Sequence, residues 1–343
     1  MIINKIALKD YRSYHQGQFE FDKGLNIIIG PNGIGKTNIL ESIIVVSNTK
    51  SFRTNNDKAL INNDGEFARI DILSDVGKFR VVINSSGKSL IYNDQIRKKT
   101  SEFIGKLNAI LFKPSDLELF DKSPRERRKI MDIEIGKINH SYLNALLKYN
   151  LLLKEKNALL KEEKIDEVLL SIIDGKMLPE MQRLIAERTA FFEKINPLIN
   201  DYYQKLSNTS NKIFIDYHKC CPIDELMKRI KTSFEKDRYY HYATFGPHHE
   251  DYVFKMDDID LCDIASQGQK RMTFISFKLA IADYIRMTTG TAPIILLDDI
   301  LSELDSDNQE RLLNILPADT QTIITSTDIK MVDIKRKCNL IRL

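Results

Sequence analysis

The 343 residues contain no tryptophan, only four cysteines and no apolar run long enough to cross a bilayer. The missing run excludes a membrane-spanning helix, which needs about 20 consecutive apolar residues. The opening Met1-Ile2-Ile3-Asn4-Lys5 reads as a strand and not as a secretory leader. Cys220, Cys221, Cys262 and Cys338 lack the paired C-x2-C spacing of a zinc site, so buried free thiols in a reducing cytoplasm are expected. Low-complexity tracts and internal repeats are absent, which excludes a repeat array. One-sided charge is absent too: 51 Lys and Arg against 48 Asp and Glu leave +3. That balance permits nucleic-acid binding without arguing for it.

What is present, 43% hydrophobic and 29% charged residues, suffices for a real core. The length fits two domains, or one domain carrying a large insertion. Residues 1–120 read as α/β, with strand-like runs at 2–8, 25–29, 68–73, 79–83 and 109–112 and a turn at Asn84-Ser85-Ser86-Gly87. Residues 121–238 read as helical. Apolar residues from Met181 to Leu206 recur at helical spacing, 142–160 carries a leucine-rich face, and Pro197 is expected to kink the second helix. These stripes fit the seam of a helical hairpin. The 23 basic and 19 acidic residues of this segment leave +4, too little for a DNA surface unaided. From 239 to 343 strand-and-turn character returns. The isoleucine-rich runs at 294–298 and 322–326 read as central parallel strands beside 25–29. The expected architecture is α/β: a nucleotide-binding domain, 1–120 plus 239–343, split by a helical insert at 121–238.

Chemistry enters at Gly30-Pro31-Asn32-Gly33-Ile34-Gly35-Lys36-Thr37, which fits the P-loop pattern G-x-x-x-x-G-K-[ST]. An apolar run before it and a helical stretch after it supply the strand–loop–helix context. The glycines let backbone N–H groups turn inward, and the helix N-terminus adds partial positive charge. Lys36 brings a full charge to the β- and γ-phosphates, and the Thr37 hydroxyl is placed for Mg²⁺. A glycine-rich turn before a helix is the competing reading. The run 294–299 ends in Asp298-Asp299, the Walker B pattern. Asp298 is expected to hold the Mg²⁺ shell and Asp299 to polarise the attacking water, with an acidic turn as the alternative. Lys36, Asp298 and Asp299 form the expected catalytic set, Thr37 and Asp298 the metal pair, and ATP and Mg²⁺ the cofactors.

Two further strings narrow the class. Ser266-Gln267-Gly268-Gln269 precedes a helical stretch, and Ser302-Glu303-Leu304-Asp305 follows Walker B directly. Alone, S-x-G-Q is an ordinary helix N-cap. In the order P-loop, S-x-G-Q, Walker B, S-x-L-D it matches ABC-type ATPases, so the expected fold is an ABC-type head. In that class the serine and its helix N-terminus face the γ-phosphate of nucleotide held by the other subunit. Ser266, Gly268 and Gln269 are therefore expected at the nucleotide of an ATP-dependent homodimer. Asp305 and Thr327 are expected near the same nucleotide. ABC transporters usually carry a histidine at that last strand end, where this chain has Thr325-Ser326-Thr327-Asp328.

The ordered set resembles the RecF family of bacterial DNA replication and repair proteins over nearly the whole chain. The resemblance rests on Leu8-x-x-Tyr11-Arg12, Gly30 to Asn38, Ser51-Phe52-Arg53-Thr54 and Phe112-x-Pro114-x-Asp116-Leu117. It continues through Ser123-Pro124-Arg125-Glu126-Arg127-Arg128 with Asp132, Gly246-Pro247-His248 and the ATPase motifs above. It implies a head like those of Rad50 and SMC ATPases without their long coiled coil. It further implies ATP binding, dimerisation on ATP, slow hydrolysis that resets the dimer, and DNA binding at single-strand gaps and ss/ds junctions. Recombinase loading, replication and the SOS response are the implied context, RecR and RecO the implied partners, and the cytoplasm the implied location.

The resemblance also puts Arg12 and Asn38 near the nucleotide, against a plain surface arginine at 12. Arg53, in a polar loop, reads as a phosphate or DNA contact or as a solvated side chain. Arg125, Arg127 and Arg128, with Lys129, form the densest basic cluster, either a DNA-phosphate face or a solvated helix face. No aromatics interleave with it, so backbone contact is expected in place of base stacking. Where the family pattern after Gly-Pro-His is Arg-Asp-Asp, this chain has His249-Glu250-Asp251, so no arginine role carries to position 249. His248 and His249 are not expected to share a metal, because neighbours on an extended chain point to opposite faces. Two other classes share some features. A transporter ATPase subunit shares the three ATPase motifs but uses Glu where Asp299 stands. An SMC-like tether needs more than the ~50 Å that helices of about 35 residues span.

Overall fold

The computed structural model describes residues 1–327 and 337–343, with Glu303 described by its backbone only. Asp328, expected at the end of the last core strand, lies outside the described residues. The chain forms two compact units. One comprises Met1–Asp116, Lys205–Asn208 and Phe274–Leu343; the other comprises Leu117–Gln204 and Thr209–Thr273.

In the first unit, alternation of buried and exposed side chains makes β1 (Ile3–Tyr11) a half-buried antiparallel strand. It pairs with β2 (Tyr14–Glu20) on one side and β4 (Phe67–Ser74) on the other. The sheet continues through β5 (Gly77–Asn84), β6 (Gly87–Tyr92) and β7 (Gln95–Arg97) in the order β2-β1-β4-β5-β6-β7. The Asn84–Gly87 turn joins β5 to β6, as its composition requires.

The second sheet of this unit is wholly parallel, in the order β14-β3-β13-β12-β8. Its strands are β3 (Leu25–Ile29), β8 (Ala109–Phe112), β12 (Ile294–Asp298), β13 (Thr322–Ser326) and β14 (Cys338–Arg342). All residues of β8, β12 and β13 are buried, the signature of strands covered on both faces. One expectation is corrected. Of the two isoleucine-rich strands, β13 lies beside β3 and β12 is one strand further out. Helix α1 (Lys36–Asn48) packs on β8 and β12 of this sheet and on β4 and β5 of the other. Ile39, Leu40, Ile43, Ile44, Val45 and Val46 are all buried, so the helix that starts at the P-loop is held on both sides.

The second unit contains α2 (Pro124–Ile138), α3 (His140–Leu159), most of α4 (Glu167–Ser207) and α5 (Leu226–Tyr240). Helix α4 runs 41 residues and continues through Pro179 and Pro197. This unit is not purely helical. Strands β9 (Ile213–His218), β10 (Asp251–Met256) and β11 (Ile259–Asp260) form an antiparallel sheet, with β9 and β10 paired from Ile213↔Met256 to His218↔Asp251. That pairing binds the segment before 239 to the segment after it, so the compact unit runs to Thr273 and not to 238. The short α6 (Leu261–Ile264) and the start of α7 (Gln267–Thr289) complete it, and α8 (Ser306–Ile315) belongs to the first unit.

A buried ionic network holds the second unit. Arg188 on α4, almost without solvent contact, donates to Glu250 Oε2 at 2.6 Å, Asp132 Oδ1 at 2.8 Å, the Pro247 carbonyl at 2.9 Å and the Tyr142 hydroxyl at 3.0 Å. Tyr217 donates to the same Glu250 carboxylate. Buried charges persist only when paired and hydrogen-bonded in this way. Glu250, at the position where the sequence departs from the pattern it resembles, is the hub. The adjacent histidines also differ from expectation. A 3-10 turn at Pro247–His249 turns both rings to one side, their Nε2 atoms 3.0 and 3.2 Å from the Ala243 carbonyl.

None of the four cysteines is in a disulfide, and only Cys221 is buried; Cys262 is exposed, contrary to the expectation of buried thiols. No helix among the described residues is long and apolar enough to cross a membrane.

Burial holds the His248 pKa down to about 4. Its Nδ1 lies 2.5 Å from the Tyr149 hydroxyl, so the neutral ring is satisfied at both nitrogens. An unfolded chain protonates this histidine near pH 6.5. Between there and pH 4 the unfolded state takes up a proton that the folded state does not, so stability falls as pH falls through that window. The loss is up to about 3 kcal/mol. Urea midpoints measured from pH 7 to 4.5 are expected to drop less in His248→Asn than in the wild type. Parallel pH profiles would contradict this.

Candidate functional site

The site lies at the carboxyl ends of the parallel strands in the first unit. The loop from Gly30 to Gly35 leaves β3 and enters α1. Gly30 and Gly35 are buried, while Pro31, Asn32, Gly33 and Ile34 form an exposed crest. Gly35 caps α1 with φ 119°, and a Cβ there would sit 2.6 Å from the Tyr14 hydroxyl, so only glycine fits. No side chain caps the helix and no acidic residue sits in its first turn. Its leading N–H groups and positive dipole end therefore remain available to an anion.

Lys36 is buried and donates from Nζ to the Gly30 carbonyl at 2.6 Å and the Pro31 carbonyl at 3.0 Å. Its ammonium is thus held inside the loop. Beside it, the Thr37 hydroxyl donates to Asp298 Oδ1 at 3.0 Å, and the Thr325 hydroxyl donates to the same oxygen at 2.9 Å. Asp298 is 8% exposed, and burial raises its pKa while the two hydroxyls pull it down. A buried carboxylate with no cationic partner in hydrogen-bond contact attracts a cation. No cluster of three or more His, Cys, Asp or Glu able to hold a metal exists among the described residues. Mg²⁺ needs none, because it takes one or two carboxylates and fills its shell with phosphate oxygens and water. Lys36, Thr37 and Asp298 therefore fit a phosphate with its magnesium.

Asp299 follows in left-handed conformation, φ 54°, with its N–H donated to the Thr325 hydroxyl at 2.9 Å. This strained turn lifts its half-buried side chain off the strand line. Thr327 sits half-buried just past the end of β13. Asp305 takes part in helix capping. It is the N-cap of α8 and accepts from the Asn308 N–H at 2.8 Å and the Asn308 side-chain amide at 2.8 Å.

Arg12 does not point a free guanidinium outward. It forms a two-pronged pair with Glu41, Nη2–Oε1 at 2.6 Å and Nε–Oε2 at 2.9 Å, and donates to the Ala59 carbonyl at 2.9 Å. The bond to Glu41 raises its pKa. Glu41, on α1, has no solvent exposure and also accepts from Ser51. Arg53 lies 3.7 Å from the same carboxylate and donates to Asn38 Oδ1 at 3.0 Å. Arg12, Asn38 and Arg53 are thereby brought together around an open cavity of about 460 Å³ that Ser13, His15 and Asn62 also line. Sequence reading assigned no role to Glu41; its place one helical turn past Asp298's partner Thr37, on the same helix, was the available signal.

The remaining expected residues belong to the second unit. Ser266 is the exposed N-cap of α7: its Oγ accepts from the Gln269 N–H at 3.2 Å, and Gln269 Oε1 accepts from the Ser266 N–H at 2.9 Å. The serine O–H proton is not used in this box. A Cβ on Gly268 would meet only Ser266 Oγ, at 3.9 Å, so the fold itself does not demand glycine there. Arg127 and Arg128, read as either a DNA-phosphate face or a solvated helix face, are engaged within the unit. Arg127 pairs two-pronged with Asp251 and donates to the Lys122 carbonyl, and Arg128 donates to the Glu250 carbonyl. Arg125 remains exposed on the first turn of α2.

A family model described as the RecF/RecN/SMC N terminal domain matches residues 2–342. The DNA replication and repair protein RecF of Oenococcus oeni is 35% identical over 97% of this chain and 95% of its own length. The solved structure of the recombination mediator protein RecF-ATP in the RecFOR pathway superposes with a TM-score of 0.90 at 30% identity, covering 98% of this chain and 94% of that one. The Smc head bound to the C-winged helix domain of ScpA, at 19% identity and a TM-score of 0.56, covers 96% of this chain and 90% of that one and shares the fold.

Glu41→Ala leaves the Arg12 guanidinium without its carboxylate. A loss of about 3 kcal/mol is expected in urea unfolding, the low end for a broken buried pair because Arg12 keeps partial access to water. A change below about 1 kcal/mol, the range of a surface pair, would contradict this account.

Proposed function

The chain belongs to the RecF/RecN/SMC N-terminal domain family, in its RecF branch, and we propose that it is an ATP-gated DNA-binding protein of recombinational gap repair. The observation that carries this reading is the meeting of Lys36, Thr37 and Asp298 at one end of the parallel sheet. Lys36 exchanges its two loop carbonyls for the β- and γ-phosphate oxygens, and the first N–H groups of α1 take the rest of the phosphate charge. Thr37 and Asp298 hold Mg²⁺, which neutralises charge on the phosphates. Asn38, Arg12 and Arg53 line the cavity that receives the remainder of the nucleotide. Asp299 orients the attacking water, and Thr325 fixes it from behind. The relative solved as RecF-ATP supports ATP as the nucleotide.

Ser266, with a donor proton to spare, and the open space over Gly268 face the γ-phosphate held by a second copy. ATP then closes a homodimer on DNA at gaps and ss/ds junctions, and slow hydrolysis reopens it. Recombinase loading follows, with RecR and RecO as partners, in the cytoplasm; the RecFOR description of the solved relative supports those partners.

Sedimentation with and without ATP and Mg²⁺ tests the gate. Lys36→Ala is expected to lose nucleotide binding, because the phosphate charge goes unpaired. Ser266→Arg is expected to bind ATP as a monomer and to fail to dimerise. Dimerisation of Ser266→Arg on ATP would overturn the trans reading.

A further inference from the structure

Among the described residues, the densest exposed aromatic surface lies in the second unit, outside every motif used above. Tyr239 is 77% exposed, Tyr240 48% and Tyr242 45%. Their rings touch one another: Tyr239 and Tyr240 meet edge to face with centroids 5.0 Å apart, and Tyr240 and Tyr242 lie 5.9 Å apart at 41°. A single ring in water is ordinary, but three in a contiguous row about Tyr240 are a patch that calls for a ligand.

The backbone under these rings is tied down. His241 closes α5 in left-handed conformation, φ 59°, and its Nδ1 lies 3.0 Å from the Leu160 carbonyl. The fully buried Asp237 accepts from the Thr244 N–H at 2.7 Å and its hydroxyl at 2.6 Å, and is paired with Lys156 at 3.0 Å. Asn157 accepts from the Ala243 N–H at 2.7 Å. Five contacts from α3, its end and α5 thus fix the segment while its rings stay in water. That is the arrangement of a preformed platform, which loses little entropy when something stacks on it.

The charge beside the rings selects the ligand. Helix α5 turns Leu226, Ile230 and Asp237 inward. Its exposed residues include Lys228, Arg229, Lys231, Lys236 and Arg238 against Glu235. Lys228, Glu235 and Tyr239 fall on one line of the helix, with Lys231 and Arg238 along one side of it and Lys236 along the other. A basic track leading to exposed rings fits a polyanion with flat apolar faces. Single-stranded DNA is such a ligand; a duplex keeps its bases stacked inside and offers only phosphate.

We propose that Tyr239, Tyr240 and Tyr242, with the basic face of α5, form a stacking platform for single-stranded DNA. The proposal rests on the DNA-binding reading above and locates the single-strand contact within it. It also moves the DNA-facing charge from α2, whose Arg127 and Arg128 are engaged internally, to α5.

The test uses the full chain, a labelled oligothymidylate and a labelled duplex, with anisotropy followed across salt concentrations. Tyr239→Ala/Tyr240→Ala is expected to weaken oligothymidylate binding about tenfold. Its salt dependence and duplex affinity stay as in the wild type, and Tyr239→Phe/Tyr240→Phe restores binding. Lys228→Ala/Lys231→Ala is expected to flatten the salt slope by roughly 1.4. Because the chain has no tryptophan, tyrosine emission is directly readable, and oligothymidylate is expected to quench it less in the double alanine variant. Unchanged oligothymidylate affinity in that variant, or an equal loss on duplex, overturns the platform while leaving the DNA-binding reading intact. A wild type that binds neither DNA with ATP present overturns both.

Discussion

One oxygen of Asp298 organises the phosphate end of this molecule. It accepts from Thr37 on the P-loop helix and from Thr325 on the strand between. Three segments distant in sequence are thereby held at one point, the end of β12, the end of β13 and the start of α1. The position is costly for an anion: burial raises its pKa, and the two hydroxyls, with a smaller pull from the Arg53 charge, oppose that without a cation in contact. A site with this imbalance favours a cation next to the carboxylate. The sheet order makes it possible, because β13 lies between β3 and β12 and its register sets Thr325 beside Asp298. The burial of α1 between two sheets keeps the arrangement from relaxing.

A second constraint works in the other unit by similar means. Arg188 joins α2, α4 and the Pro247–Glu250 turn through Asp132 and Glu250. Arg127 and Arg128 extend the same network to Asp251 and to the Glu250 carbonyl. These arginines serve the architecture: Arg188 and Arg127 meet carboxylates inside the unit, and Arg128 a backbone carbonyl. Charge that faces solvent is found on α5, next to three tyrosines on a fixed backbone. The sequence showed basic residues in both places and gave the denser cluster to α2. Counting charge could not reveal that Arg127 meets the Asp251 carboxylate 124 residues away and Arg128 the Glu250 carbonyl 122 residues away.

What could be read from the sequence was local. The P-loop, the apolar strand ending in Asp298-Asp299 and the start of α7 are contiguous strings whose chemistry needs only neighbours. Strands 25–29, 109–112, 294–298 and 322–326 were legible because they are apolar on both faces. Strand β2 was not, since Tyr14–Glu20 carries polar residues on an edge and shows little alternation. The role of Glu41 was harder to read, because its partner Arg12 lies 29 residues away and only its place one turn past Thr37 points to it. The division of the chain at 238 failed for the same reason. It was set by helical periodicity, and the β9–β10 pairing that overrides it links residues about 40 apart. Asp305 reads as a nucleotide contact because S-x-L-D follows Walker B, and its capping of α8 needed the structure to appear.

The central claim is that Asp298 and Thr37 hold the metal while Lys36 and the loop hold phosphate, so the two functions are separable. The most direct measurement is the affinity of a slowly hydrolysed ATP analogue with and without Mg²⁺, in the wild type and in Asp298→Asn. The account predicts that Mg²⁺ tightens binding in the wild type and that Asp298→Asn binds the metal-free analogue equally well but gains little from Mg²⁺. An Asp298→Asn chain that keeps the full gain from Mg²⁺ would contradict it.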